Sequence, residues 1–168
     1  MKNITAILPI IVMLLAISLL FSFKSKKQEE EIIPCEEIQI MCRDVYGKFI
    51  INTQAEYVGL PKARNPHPDC INYQLPTIDF TQYTLIGIGE GAMGCEYPKV
   101  EHTITKTGNI YTFIVNIKQQ FFCKMNMSVF VWCLIPKVED SSHIKIQVNK
   151  SVEPRNEEEK KLIEEYQK

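Results

Sequence analysis

The chain has no excess charge of either sign, no Cys-x-x-Cys pair and no histidines at zinc-site spacing, and each shortage excludes something. Nineteen basic against twenty acidic residues leave a net charge of −1. No basic face is visible in the pattern, so the phosphate-neutralising charge that nucleic-acid binding requires is missing. The three histidines, His67, His102 and His143, stand far apart, and the cysteines are scattered, which argues against a metal cage. Carboxylates such as Glu36, Glu37 and Asp79 show no pairing that points to glycoside hydrolysis. There are no internal repeats. No catalytic, metal-ligating or cofactor-binding set is expected.

Acidic residues are also absent between Glu101 and Glu139. That gap decides the reading of "GIGEGAMGCEYPK", Gly87 to Lys99, which contains a literal G-x-G-x-x-G. The dinucleotide fingerprint needs a strand before it, a helix after it and an acidic residue about 20 positions later for the ribose. Tyr83 to Ile88 reads as the strand. Pro98 stops any helix within its first turn or two, and the ribose acid is missing. The stretch is expected to be a mobile, glycine-rich strand connection that binds no nucleotide.

What the chain does have is a long apolar run at its start. Ile4 to Phe23 carry no charge, with Lys2 before them and Lys24, Lys26 and Lys27 after. Twenty residues at about 1.5 Å each match a bilayer core of about 30 Å, and a small-x-small cleavage exit is lacking. An uncleaved transmembrane anchor is favoured over a cleaved signal. Either places the rest outside the cytoplasm, facing the periplasm or cell exterior, although basic residues after the span prefer the cytoplasmic side. Six cysteines, an even number without metal-site spacing, agree with a disulfide framework in an oxidising compartment.

The 168 residues, 45% of them hydrophobic, suffice for one domain. The division is an anchor or signal over 1–23, a charged tether over 24–34, one β-rich exported domain over 35–150 and a charged tail over 151–168. Glu37 to Met41 and Lys48 to Asn52 read as short strands, and Thr53 to Leu60 as two helical turns with a Thr53/Glu56 capping box. Pro61 to Pro76, with four prolines, is irregular. Five further strand runs follow: Tyr83 to Ile88, Lys99 to Lys106, Ile110 to Gln119, Ser128 to Ile135 and Ile144 to Asn149. Gly108 and Asn109 signal a tight hairpin. Tyr111, Phe113, Val115 and Ile117 fall on one face with Thr112, Ile114, Asn116 and Lys118 on the other, as in a half-buried strand. "SVFVWCLIP" is continuously apolar, as in a central strand covered on both faces. Asn156 caps a short helix in the tail. The fold class is therefore mainly β (α+β), an antiparallel sheet or small sandwich with one short helix, preceded by the N-terminal transmembrane or signal helix.

With Gly108 and Asn109 as the loop, opposed residues of that hairpin have numbers summing to about 217. Cys95 and Cys123 then lie opposite each other after one bulge and are expected to form a cross-strand disulfide. Cys133 reads as a buried free thiol beside the tryptophan. One bridge is expected among Cys35, Cys42 and Cys70, with the choice open. His67 in "NPHPDC", near Asp69 and Cys70, is the one arrangement suggesting a thiol nucleophile, but a third group and an oxyanion site are not recognisable.

"LPTIDFTQYTLIGIGEGAMGC", "YTFIVNIKQQFFC" and "WCLIPK" give the chain a resemblance, over about Ile71 to Val148, to small uncharacterised exported bacterial envelope proteins. More distantly it resembles the C-terminal domain of the protease complex subunit PrcB, from which it departs in its cysteines and shorter N-terminal part. The resemblance implies a small β-domain and carries no functional residue across. The expected function is a non-enzymatic binding or structural module of the bacterial cell envelope, with the membrane and an envelope protein as partners. The alternatives are a regulator or partner of an exported protease, and a small thiol-dependent or hydrolytic enzyme.

Overall fold

The computed structural model describes residues 29–43, 45–63, 68–94, 96–120, 125–154 and 156–166. The expected N-terminal anchor, the first part of the tether and the expected Cys95–Cys123 bridge lie outside these residues. Among the described residues no helix is long and apolar enough to cross a membrane.

Among the described residues, eight strands and two α-helices follow one another: β1 (Glu30–Ile33), β2 (Glu36–Glu37), β3 (Gly47–Ile51), α1 (Gln54–Val58), β4 (Tyr83–Met93), β5 (Lys99–Thr107), β6 (Ile110–Gln120), β7 (Asn126–Pro136), β8 (Ile144–Glu153) and α2 (Glu157–Tyr166). They form two four-stranded sheets, ordered β1-β5-β6-β8 and β2-β7-β4-β3. The protein is mainly β, as its strand runs predict. The β5–β6 hairpin keeps the expected register, from Lys99 opposite Lys118 to Thr107 opposite Ile110, and Gly108 takes the left-handed φ of 60° that its tight turn requires.

The sheets share one core. Phe113, Val115 and Ile117 of β6, fully buried, meet Ile86 and Ile88 of β4 and Val129, Cys133 and Ile135 of β7. A second cluster lies on the other face of the β2-β7-β4-β3 sheet, where Val45, Tyr57 and Leu60 cover Ile51, Leu85, Trp132 and Leu134. β7 is thus covered on both faces, which is why its sequence is continuously apolar while β6 alternates. α1 begins where expected: Thr53 Oγ1 accepts from Glu56 N–H at 3.3 Å, and Glu56 Oε2 accepts from Asn52 N–H at 2.8 Å and Thr53 N–H at 3.1 Å. The bond from Asn52 leads the interactions that hold the Glu56 carboxyl below its usual value. Buried Thr84 is satisfied too, donating to Asn52 Oδ1 at 2.5 Å and accepting from Val138 N–H at 3.0 Å.

Four expectations need correction. The glycine-rich stretch is not a connection: Gly87, Gly89 and Gly91 lie inside β4, opposite Trp132, Phe130 and Ser128 of β7. Their missing side chains make room, since a Cβ on Gly87 would stand 2.1 Å from the Trp132 ring and one on Gly89 would stand 1.6 Å from Val45 O. The sheets are not wholly antiparallel, because β8 runs parallel to β6, the residues after Pro136 carrying the chain back to the other sheet. The tether is not wholly a spacer, because Glu30–Ile33 pairs with Thr107–Ile104 of β5 and Ile33 is buried. Cys133 is not a free thiol; it is bonded to Cys35, its sulfur satisfied from a stretch 98 positions away that no local pattern links to it. The bridge expected among Cys35, Cys42 and Cys70 is Cys42–Cys70.

Candidate functional site

The chain from Glu30 to Glu37 is a strap. Its first half pairs with β5 in one sheet and its second half with β7 in the other, Glu36 opposite Leu134 and Glu37 opposite Cys133. The Cys35–Cys133 bond, with Cα atoms 5.2 Å apart, fastens it at the crossing. At the opposite side of the sandwich, Lys150 of β8 reaches Glu90 Oε2 and Gly91 O of β4, both at 2.8 Å. The sheets are therefore tied on both sides, and the strap side is tied over a short length only.

Beyond the strap lies an open edge. Gly94 N–H donates to Met125 O at 3.1 Å and Ile38 N–H to Trp132 O at 3.2 Å, so odd-numbered residues along β7 turn their backbone groups toward β4 and even-numbered ones turn them away. The backbone groups of Asn126, Ser128 and Phe130 consequently face an edge that no strand covers among the described residues. On the facing sheet, β1 covers only Ile104 to Thr107 of β5.

A cleft of about 650 Å³ occupies this side, between the Ile38–Met41 segment, Val100 and His102 of β5, and Phe130 to Trp132 of β7. Tyr97 also lines it, and Met41, Tyr97 and Phe130 are exposed apolar side chains at its wall. Tyr46 lies beside it, its ring 6.0 Å from that of Phe130 and its hydroxyl against the Ser128 hydroxyl. Trp132 is only 3% exposed, and its indole N–H has no hydrogen-bond partner among the described residues. A buried unpaired donor is costly and calls for an explanation.

His102 stands where the cleft meets the strap. It shares the inward face of β5 with Val100 and Ile104, its ring meets Phe113 edge-on at 6.1 Å, and its Nε2 lies 3.4 Å from Glu37 Oε1. Its ligand atom and the sulfurs of Cys35 and Cys133 all lie within 4.8 Å of one another. Sequence reasoning placed His102 in a strand and Cys133 beside the tryptophan but did not join them. The only available signal was strand parity, which turns His102 inward with Val100 and Ile104.

The other suggested arrangement does not come together. Cys70 is bonded to Cys42, so it offers no thiol, and His67 lies outside the described residues. His143 is on the far side of the chain's topology, 3.8 Å from Asp140 Oδ2. Gly89 to Met93 of "GEGAMG" form strand rather than a loop before a helix. No known protein family, curated protein or solved structure matches the chain.

Proposed function

We propose that this domain is a non-enzymatic binding module of the bacterial cell envelope that takes an extended segment of an exported protein into the cleft beside β7. The observation that carries the reading is the uncovered backbone edge at Asn126, Ser128 and Phe130, which meets the cleft at Phe130. Main-chain bonds to such an edge supply affinity, and flanking pockets select side chains. Met41, Tyr97 and Phe130 supply apolar contacts, methionine and aromatics being the types enriched in recognition surfaces. An exported protease or its substrate is one partner that presents such a segment, in line with the distant resemblance.

The test uses a panel of extended peptides of varied apolar content, with binding followed by titration calorimetry. A preferred peptide is expected to be weakened at least about tenfold by Ser128→Pro, which removes an outward N–H, and little by Ser128→Ala, which keeps it. Equal loss in both variants would point to the hydroxyl and against strand pairing, and saturable binding untouched by either would place the site elsewhere.

A further inference from the structure

A disulfide that only fastens the strap has no need of an imidazole beside it. Here the His102 side chain is inserted between the sheets, 18% exposed, with a carboxylate oxygen of Glu37 3.4 Å from Nε2, and its ligand atom and both sulfurs lie within 4.8 Å of one another. We propose that Cys35, Cys133 and His102 form a redox-gated zinc site: closed while the disulfide stands, and competent for one Zn²⁺ once the two sulfurs are free.

The geometry is close to what the metal requires. With Zn–S of about 2.3 Å and Zn–N of about 2.0 Å, tetrahedral ligation sets sulfurs roughly 3.8 Å apart and each roughly 3.5 Å from the nitrogen. The sulfurs therefore separate by about 2 Å from their bonded distance, which side-chain rotation supplies. The three ligands come from three elements, the strap, β5 and β7, so the metal would join the strap to both sheets as the disulfide does. With Glu37 Oε1 3.4 Å from Nε2, the metal would take Nδ1, and a carboxylate at the other ring nitrogen orients a ligating histidine and raises its basicity. Val100 and His102 line the cleft, which leaves the fourth position to a water molecule. Two thiolates and an imidazole select Zn²⁺ over the hard cations Mg²⁺ and Ca²⁺.

The chemistry balances with a dithiol as reductant. Its thiolate attacks Cys35, the less buried of the pair beside fully buried Cys133. The Cys35–Cys133 bond breaks, a mixed disulfide forms, and the second thiol of the reductant displaces Cys35 and leaves as the reductant's own disulfide. Two electrons and two protons reach the protein, giving two thiols. Zinc binding then releases both thiol protons and leaves the imidazole neutral.

The experiment takes the full chain, reduced with a phosphine and titrated with Zn²⁺ and, as a spectroscopic probe, Co²⁺. Expected are one metal ion per chain, the visible bands and thiolate charge transfer of tetrahedral Co²⁺, and a higher melting temperature with zinc. His102→Ala should weaken zinc at least about tenfold, Cys35→Ser/Cys133→Ser should abolish binding, and Cys42→Ser/Cys70→Ser should leave it intact. The proposal fails if the reduced chain binds zinc equally well with His102→Ala, if the oxidised chain binds as tightly as the reduced one, or if the reduced chain is unfolded with zinc as without it.

Discussion

The two sheets of this protein solve the same packing problem with different sequences. The β1-β5-β6-β8 sheet buries one face. Phe113, Val115 and Ile117 point inward, while the other face carries ordinary surface chemistry: Lys118 Nζ 2.9 Å from Glu101 Oε1 and Asn149 Nδ2 2.9 Å from Asn116 Oδ1. The β2-β7-β4-β3 sheet buries both faces, one against the first sheet and one under the α1 layer. There is no room there for polar alternation, and in β4 there is not even room for side chains at every second position. An apolar run and a glycine run, which look unlike each other in sequence, are the two halves of one doubly covered strand pair. The glycines of β4 form the floor on which Trp132 and Phe130 of β7 lie.

The largest way to break this arrangement is to cut what ties the sheets together at the strap. The Cys35–Cys133 bond spans 98 positions, and chain-entropy reasoning assigns a loop of that length roughly 4 to 5 kcal/mol. Cys42–Cys70 spans 28 and is assigned roughly 3 to 4 kcal/mol. Replacing Cys35 and Cys133 together by Ala should lower the melting temperature by more than replacing Cys42 and Cys70, the more so because Cys133 is fully buried and its loss leaves a cavity. Non-reducing peptide mapping checks the connectivity and should recover both bridges. It also tests the Cys95–Cys123 bridge that the hairpin register of the sequence predicts, two residues outside the described ones. A larger melting shift from the Cys42–Cys70 pair would place the main constraint in the α1 layer instead of at the strap.

The next effect lies within one motif. Gly87→Val puts a branched side chain against Trp132, whose ring already packs against Phe49, tilted, with centroids 5.5 Å apart. Overpacking of this kind should cost roughly 3 kcal/mol, at the upper end of its range. At Gly91 the nearest atom to an added Cβ is Asn126 Oδ1, at 3.2 Å, the end of a flexible side chain. Gly91→Ala should therefore change stability by less than about 1 kcal/mol, and could raise it by restricting the unfolded chain. Urea melts of the two variants make the comparison, and equal destabilisation would mean that the glycines serve backbone conformation rather than close approach.

Much of this fold was legible because strand patterns are local. The alternation of Tyr111 to Ile117, the Gly108–Asn109 turn and the Thr53/Glu56 cap are fixed by neighbours in sequence, and the structure places all three as read. The glycines of β4 were misread because their cause is an aromatic ring on another strand: Gly87 meets Trp132, 45 positions later. The site was illegible for the same reason. Cys35, His102 and Cys133 come from three separate elements, and only the strap's crossing from one sheet to the other brings them together. Parity places His102 inward, but nothing in "KVEHTITK" tells what it meets there.

The smallest expected effect tests the outer cover of the doubly buried sheet. Tyr57 of α1 is fully buried, meets Phe80 at 5.6 Å between ring centroids, and its hydroxyl has no hydrogen-bond partner among the described residues. Tyr57→Phe removes an unpaired polar group and keeps the ring, so stability should be unchanged or higher by up to about 1 kcal/mol. The pH dependence gives a second reading. Burial, reinforced by nearby Tyr73 and opposed by Arg43, pushes the Tyr57 phenol up to about 12 from its ordinary value near 10. The folded chain thus holds this proton over a range in which the unfolded chain has begun to lose it. The corresponding stabilisation is complete below pH 10 and declines as pH rises through about 12. The difference in unfolding free energy between the natural chain and Tyr57→Phe should accordingly be flat below pH 10 and move in favour of the variant above it. A variant that is less stable by 1 kcal/mol or more at neutral pH would instead mean that the hydroxyl is satisfied within the fold and that the α1 layer holds a polar anchor.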